Sequence, residues 1–392
     1  MRAPFLFSTG IENGYPLLAN GHRVDEMKQS GHHARWREDF GLAREVGARA
    51  LRYGPAYYQT HVGPSKYDWS PADEPINHLR DQGIELIADL CHFGVPAWLG
   101  GFQDPAFPVL FAEYARAFAR RYPWVRYYTP ISEVFIAASF SALRGLWNEA
   151  LADEGAFARA MRNLCMGHEL AVEAILAERP DAVIVQSESI EHFHPLGKRT
   201  KAQAARESAF KHLALDLTLG RSLPPGMGSF LNEHGVTSND LSFFREKRGI
   251  GQRWLGIDFR GTRAQRPPSS ENFPAPRNAM GCRLLPAEYY SRHRIALFHG
   301  ETDRVGSDPV EWLSAQWEDI TELRGAGIPV LGFHWFSLTD PIDSQQGEKR
   351  ELHSGLYDRR GQLRPVGIAY RELVAANESL AAAPLPPRKK EA

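Results

Sequence analysis

Short apolar runs rich in β-branched and aromatic residues recur along the chain at fairly regular intervals. Runs of this kind, bounded by turn residues and too short for independent helices, predict buried strands. Eight segments fit this description: residues 5–8, 50–57, 84–93, 125–133, 182–188, 254–260, 295–301 and 330–338.

Between these runs, polar and apolar positions follow a helical period. In residues 36–46 the side chains of Trp36, Phe40 and Ala43 share one stripe. Similar patterns predict helices over residues 110–121, 157–179 and 310–324. Strands that alternate eight times with helices favour parallel pairing and closure. The sequence therefore predicts an α/β fold, a (β/α)8 TIM barrel.

Three regions depart from this alternation. Residues 198–253 carry additional helical material, and residues 261–286 are rich in Pro, Ser and Asn, which predicts an extended loop after strand six. The C-terminal segment SLAAAPLPPRKKEA is of low complexity. We expect residues 1–378 to form a single barrel domain and residues 379–392 to be a disordered tail.

Composition narrows the classes of function. The 392 residues are 43% hydrophobic and 24% charged, and their net charge of −1 gives no electrostatic reason to expect nucleic acid or an anionic membrane as a partner. The N-terminal segment lacks the features of a secretory signal, so we expect a cytoplasmic protein. The oligomeric state is not readable. Because Cys91, Cys165 and Cys282 lie far apart without a CxxC spacing, we expect reduced thiols.

Two glutamates end apolar runs that predict buried strands. Glu133 ends the motif YYTPISE, and Glu301 ends IALFHGE. An uncompensated charge is costly in such a position, and the carboxyl ends of barrel strands converge on the face where barrel enzymes carry their catalytic groups. Retaining glycosidases need one carboxylic acid to protonate the leaving oxygen and a second carboxylate to attack. The pair, on strands four and seven, predicts glycoside hydrolysis.

Several segments resemble motifs of glycoside hydrolase family 1, and they occur in the same order. YYTPISEV resembles the acid/base motif TxNEP, LCHFGVPAWL resembles YHWDLPxWL, and GFHWFSLTDPID resembles GYFxWSLLDNFEW. The match is vague between about residues 190 and 285. The resemblance implies a (β/α)8 barrel and a retaining β-glycosidase that acts on a small carbohydrate or glycoside, and we expect no cofactor and no metal.

Carried over by position, the resemblance implies that Glu133 is the general acid/base and Glu301 the nucleophile. Arg52 would support the nucleophile, and His92 would bind a sugar hydroxyl. A structural salt bridge for Arg52 and a core position for His92 are the alternatives. Further substrate contacts are implied for Ser132, Arg260, Trp335, Asp343 and Glu12, although Trp335 and its neighbour Phe336 could equally fill the core.

The chain also departs from the family motifs. Ser132 replaces the asparagine that holds the sugar 2-hydroxyl, and Val134 replaces the following proline. Arg260, in GIDFR, stands where a tyrosine contacts the nucleophile, and Ser344 replaces a second tryptophan. These departures indicate a divergent branch of the family and leave the identity of the sugar open.

Two other classes of function compete with a glycosidase. Glu188 ends strand five as either a third site residue or a barrel-mouth salt bridge, and Glu191, His192 and His194 follow it. The histidine pair raises a metal-dependent barrel hydrolase as one alternative. The replacements at Ser132 and Ser344 raise a non-catalytic sugar-binding protein on a glycosidase barrel as the other.

Overall fold

The computed structural model describes residues 5–190, 201–259, 284–303, 308–343 and 350–382. Eight parallel strands form a closed barrel, in which every strand pairs with its neighbours along the chain and the first pairs with the last. Each strand overlaps one predicted run, so the predicted (β/α)8 fold is confirmed. The strands are β1 (Leu6–Gly10), β2 (Ala50–Tyr53), β3 (Glu85–Asp89), β4 (Tyr127–Thr129), β5 (Val183–Ser189), β6 (Gln252–Asp258), β7 (Ala296–Thr302) and β8 (Val330–Trp335).

The four helices that the sequence predicts are present, with slightly different ends: His32–Glu45, Phe107–Arg121, Glu154–Glu178 and Pro309–Gly325. In the first, the predicted stripe of Trp36, Phe40 and Ala43 is buried. The other described helices are Glu26–Ser30, Tyr57–Thr60, Ser70–Asp81, Gly101–Gln103, Val134–Ala138, Ser139–Leu143, Lys201–Thr218, Met227–Glu233, Ser238–Glu246, Leu284–His293, Pro365–Ala376 and Glu378–Ala382. Two small hairpins pair His61–Gly63 with Lys66–Tyr67 and Ile342–Asp343 with Arg350–Glu351.

The irregular regions agree only in part with the predictions. The additional helical material in residues 198–253 is present. Residues 261–283 of the predicted loop lie outside the described residues, and its last three residues begin the helix Leu284–His293. The tail that the sequence predicts to be disordered is helical at its start, within Glu378–Ala382. Its residues 383–392 lie outside the described residues. Among the described residues, no helix combines the length and apolarity needed to cross a bilayer.

An apolar layer fills the interior of the barrel, and every strand contributes to it. Its buried members are Leu6, Ala50, Ile87, Tyr127, Val183, Val185, Trp254, Phe298 and Leu331. Because side chains alternate along a strand, residues two or four positions further on face the same interior. The polar side chains of Arg52, Asp89, Ser187 and Asp258 therefore lie above this layer, at the carboxyl end of the barrel.

A second and larger apolar cluster packs the outward faces of the strands against the helices. Two of the three cysteines are described, and the thiols of Cys91 and Cys165 are buried there without a disulfide, as predicted. Cys282 lies outside the described residues.

Candidate active site

Arg52, on β2, connects the polar groups at the carboxyl end of the barrel. Its side chain is only 4% exposed. Nη1 donates to Oε1 of Glu301 at 2.6 Å, Nη2 donates to Oγ of Ser132 at 2.6 Å, and Nε donates to Oδ2 of Asp89 at 3.1 Å. One guanidinium thus joins the ends of β3 and β7 to the segment that follows β4.

Glu301 is an acid that the strand holds in a buried position. Its side chain is 2% exposed. In the sheet, Glu301 of β7 lies opposite Asp258 of β6. The Oδ2 atom of Asp258 lies 3.8 Å from Nη1 of Arg52. A buried carboxylate is costly without a partner, and the hydrogen bond from Arg52 stabilises the ionised form of Glu301.

Glu133 follows Ser132 where the chain leaves β4 and begins the helix Val134–Ala138. The residue is half-buried, and its backbone has φ = 42° and ψ = 65°, in the left-handed region that non-glycine residues seldom occupy. Its N–H donates to the carbonyl of Ser187 at 3.1 Å. Backbone strain of this kind tends to occur at functional sites, where the surrounding structure enforces it.

The carboxylate of Glu133 also acts electrostatically on the guanidinium of Arg52. Burial alone would lower the pKa of Arg52, but nearby carboxylates outweigh burial and raise this pKa above its ordinary value. Those carboxylates are Asp89, Glu301, Asp258 and Glu133, in decreasing order of effect. The charges of four acids, from β3, β6, β7 and the end of β4, therefore act on one guanidinium.

His92 lies at the edge of this cluster and is also buried. Its Nδ1 atom lies 2.8 Å from Oδ2 of Asp89, and its Nε2 atom lies 3.6 Å from Oε1 of Glu12. Burial opposes a charge on this ring, but the carboxylates of Asp89 and Glu12 raise the pKa of His92 overall. The Asp89 carboxylate is shared by Arg52 and His92, so it fixes the two side chains relative to each other.

With this geometry established, comparisons with known proteins identify the family. Residues 25–220, half of the chain, match the sequence model of a family described as glycosyl hydrolase family 1. The chain belongs to glycosyl hydrolase family 1. The protein is accordingly a glycoside hydrolase. The match includes Arg52, His92 and Glu133, whereas Glu301 lies beyond it.

Individual relatives of this family 1 enzyme are distant. The 1,4-beta-D-glucan glucohydrolase of Thermotoga neapolitana is 21% identical over 88% of this chain and 87% of that protein. A bifunctional beta-D-glucosidase/beta-D-fucosidase of Bifidobacterium breve is 27% identical over 45% of this chain and 40% of that protein. The structure of a beta-glucosidase from Thermotoga maritima in complex with galacto-hydroximolactam has a TM-score of 0.77 at 18% identity, and covers 96% of this chain and 99% of that chain. That similarity shows a shared fold.

Three polar residues of the cluster in this family 1 enzyme were not predicted as site residues. They are Asp89, Asp258 and Ser187, whose hydroxyl donates to Oδ2 of Asp258. The two aspartates lie within the predicted runs 84–93 and 254–260, in the stretches IELIAD and WLGID. In the structure they are the last residues of β3 and β6, which end earlier than the predicted runs, and this is why the signal that identified Glu133 and Glu301 missed both.

The remaining residues predicted to contact the substrate are Trp335, Asp343 and Arg260. Trp335 is 0% exposed and its indole N–H donates to the carbonyl of Ser354 at 3.0 Å, a position that favours the core role left open by the sequence. Phe336 is also buried. Asp343 belongs to the hairpin strand Ile342–Asp343. Arg260 lies outside the described residues, so its predicted contact remains a prediction.

The metal-dependent alternative gains no support from the described part of the chain. Glu191, His192 and His194 lie outside it. The described group with metal-ligand spacing is Asp340, Glu351 and His353. There Asp340 forms an ion pair with Arg364 and accepts the N–H of Gly355 at 2.9 Å, so its carboxylate already has protein partners.

Proposed function

We propose that this family 1 enzyme is a retaining β-glycosidase in which Glu301 is the nucleophile and Glu133 the general acid/base. The observation that carries the proposal is the guanidinium of Arg52, which binds Glu301 through one terminal nitrogen and Ser132, the neighbour of Glu133, through the other. It joins the ends of β7 and β4, which supports two carboxylates that act on one glycosidic bond, and the retaining outcome follows the family resemblance.

The first step forms a covalent glycosyl-enzyme. A carboxylate oxygen of Glu301 attacks the anomeric carbon, the bond from that carbon to the leaving oxygen breaks, and the proton of Glu133 moves to the leaving oxygen. The hydrogen bond from Arg52 favours the ionised form of Glu301 that this attack needs.

The second step releases the sugar. The carboxylate of Glu133, now ionised, takes a proton from water, the water oxygen bonds to the anomeric carbon, and Glu301 leaves as a carboxylate. Two displacements restore the original anomeric configuration. Glu12 would accept a hydrogen bond from a sugar hydroxyl at the edge of the cluster, and His92 would donate one. Ser132, Arg260 and Asp343 remain candidate contacts, whereas the burial of Trp335 favours the core alternative.

The substrate class that we propose is a β-glucoside or a closely related β-glycoside. The names of the two curated relatives, a glucan glucohydrolase and a glucosidase/fucosidase, support this class. Ser132, which replaces the family asparagine, accepts a hydrogen bond from Arg52 and so belongs to the charged cluster, which favours a working catalytic site over a non-catalytic sugar-binding protein.

A panel of fluorogenic β-glycosides tests the proposal. The wild type should hydrolyse at least one member, Glu301→Gln should abolish hydrolysis, and Glu133→Gln should lower kcat by about 10²- to 10⁴-fold on substrates with poor leaving groups. Glu169→Gln is the control, because Glu169 is a buried carboxylate paired with Arg253 at 2.6 Å and lies outside the cluster. Hydrolysis by Glu301→Gln at the wild-type rate, or a wild type inactive on the whole panel, would contradict the proposal.

A further inference from the structure

Glu188 lies near the end of β5, on the side of the strand opposite to the charged cluster. Its neighbour Ser187 faces the interior of the barrel and donates to Asp258. Because side chains alternate along a strand, Glu188 faces the opposite side, toward the helix Glu154–Glu178, where burial and, when it is ionised, Glu188 raise the pKa of Cys165. Glu188 is 2% exposed, and among the described residues no cation lies within ion-pair distance of it. The described part of the chain therefore gives no ion-pair partner for the barrel-mouth salt bridge considered from the sequence.

The carboxyl of Glu188 accepts a hydrogen bond from the helix that Glu133 begins. Oε2 accepts the N–H of Phe135, the second residue of the helix Val134–Ala138, at 3.3 Å. The N–H of Val134 also interacts with this carboxyl. Val134 stands where the TxNEP motif has a proline, which has no N–H, so this chain has one more donor at the helix start that needs an acceptor.

This hydrogen bond replaces one that the first residue of a helix normally supplies. The N-cap side chain usually accepts the N–H of the second or third helical residue. Glu133 is the N-cap here, and its side chain makes no such bond. Since Glu188 takes that N–H and Ser187 takes the N–H of Glu133 itself, two consecutive residues of β5 hold the strained backbone of Glu133.

We propose that Glu188 is a positioning residue, which caps the helix Val134–Ala138 from a neighbouring strand and thereby directs the carboxyl of Glu133 toward the sugar. The inference rests on the proposed role of Glu133 as general acid/base. Burial, assisted by the nearby charge of Asp258 and opposed by the Phe135 N–H and by Lys211, raises the pKa of Glu188 to about 8. The carboxyl is thus mainly neutral at pH 7, and a glutamine can reproduce its acceptor oxygen.

Leaving-group dependence separates positioning of the acid from a general loss of structure. A poor alkyl leaving group needs the proton of Glu133, whereas 2,4-dinitrophenolate leaves without it. Glu188→Leu should lower kcat/KM by about 10- to 100-fold on an alkyl β-glycoside and by less than about threefold on the dinitrophenyl β-glycoside of the same sugar. Glu188→Gln should stay within about threefold of the wild type on both.

Glu149→Leu is the matched control. Glu149 also caps a short helix from elsewhere in the chain, since its Oε1 accepts the N–H groups of Phe102 and Gln103 at the helix Gly101–Gln103. Glu149→Leu should lower the melting temperature, and any change in kcat/KM should be the same for the alkyl and the dinitrophenyl substrate. An equal loss on both substrates for Glu188→Leu, or no loss on either, would overturn the proposal.

Amide hydrogen exchange tests the cap without using activity. The backbone amides of a peptide covering residues 133–143 should exchange at least about tenfold faster in Glu188→Leu than in the wild type. In Glu188→Gln and Glu149→Leu, the same amides should exchange at the wild-type rate. Unchanged exchange in Glu188→Leu would refute the cap. If the wild type hydrolyses no glycoside, the proposed function fails, and this exchange measurement still decides whether Glu188 holds the helix.

Discussion

Arg52 donates a hydrogen bond of 2.6 Å from Nη1 to Oε1 of Glu301, a residue 249 positions later in the chain. The contact exists because the barrel closes, which brings the carboxyl ends of β2 and β7 to the same mouth. Both side chains are almost fully buried, so the pair is shielded from solvent. The same guanidinium reaches Ser132 beside Glu133, and this arrangement supports the proposed roles of Glu301 and Glu133.

Replacing Arg52 should remove both stability and activity. Arg52→Met leaves the buried carboxylates of Glu301 and Asp89 without their cation, which should cost about 3–5 kcal/mol in the free energy of unfolding. Loss of the ionised nucleophile should also remove hydrolysis by the molecules that remain folded. Urea unfolding and kcat, corrected for the folded fraction, measure the two effects.

The control for Arg52 is Arg253→Met. Arg253 forms a buried pair with Glu169 at 2.6 Å, away from the barrel mouth, so its loss should cost a similar free energy of unfolding but leave kcat of the folded molecules near the wild-type value. If the two arginine variants lost stability equally and both kept kcat, Arg52 would have only a structural role.

Gly54 should tolerate no side chain, because the backbone of β3 lies against it. A Cβ atom at Gly54 would lie 1.7 Å from the carbonyl oxygen of Asp89. Gly54→Ala should therefore displace Asp89, lower the free energy of unfolding by about 3 kcal/mol or more, and weaken the contacts of Asp89 with Arg52 and His92. Thermal unfolding together with kcat/KM on the best fluorogenic substrate checks both results.

Gly41→Ala is the matched control for that substitution. Gly41 lies within the helix His32–Glu45, and a Cβ atom there has nothing within 4 Å. An alanine should raise the free energy of unfolding by roughly 0.5–1 kcal/mol, with activity unchanged. A stable and active Gly54→Ala variant would show that Asp89 does not depend on this close approach.

The buried ring of His92 should make stability depend on pH. Although burial opposes its charge, Asp89 and Glu12 raise the pKa of His92 in the folded protein above its unfolded value of about 6.5. The stabilisation is then fully present below about pH 6.5 and is lost as pH rises through the folded pKa. The free energy of unfolding of the wild type minus that of His92→Asn should fall over this range.

The effect of His299 on the free energy of unfolding should depend on pH in the opposite direction to that of His92. Burial lowers the pKa of His299 to about 4, so the unfolded chain binds a proton first as the pH falls below about 6.5. The difference between the wild type and His299→Asn should therefore decrease as pH falls from 6.5 toward 4. Histidine NMR titrations measure both folded pKa values, and a His92 pKa below 6.5 would contradict the assigned network.

The sequence predicts the barrel well because each strand is a distinct apolar run and each major helix has a clear stripe. It also places Arg52, Glu133 and Glu301 in one cluster, since their strand ends must converge. The sequence could not decide between a core and a substrate role for Trp335, because both need a large aromatic ring. The burial of Trp335 and its bond to Ser354 depend on tertiary packing.

The position of Glu188 shows a different limit of sequence reasoning. Its hydrogen-bond partner is the backbone N–H of Phe135, 53 residues earlier, and any residue but proline supplies a backbone N–H. No side-chain motif could therefore reveal that contact. Asp89 and Asp258, in contrast, were missed because β3 and β6 end earlier than the predicted runs.

The most direct test of the account is the identity of the carboxylate that bonds to the sugar. A 2-deoxy-2-fluoro β-glycoside with a dinitrophenyl leaving group slows the second displacement, so the glycosyl-enzyme accumulates and can be located by peptide mapping. The sugar should be the one preferred in the fluorogenic panel. The account predicts a single covalent label on Glu301, and a label on Glu133, Asp258 or any other carboxylate would contradict it.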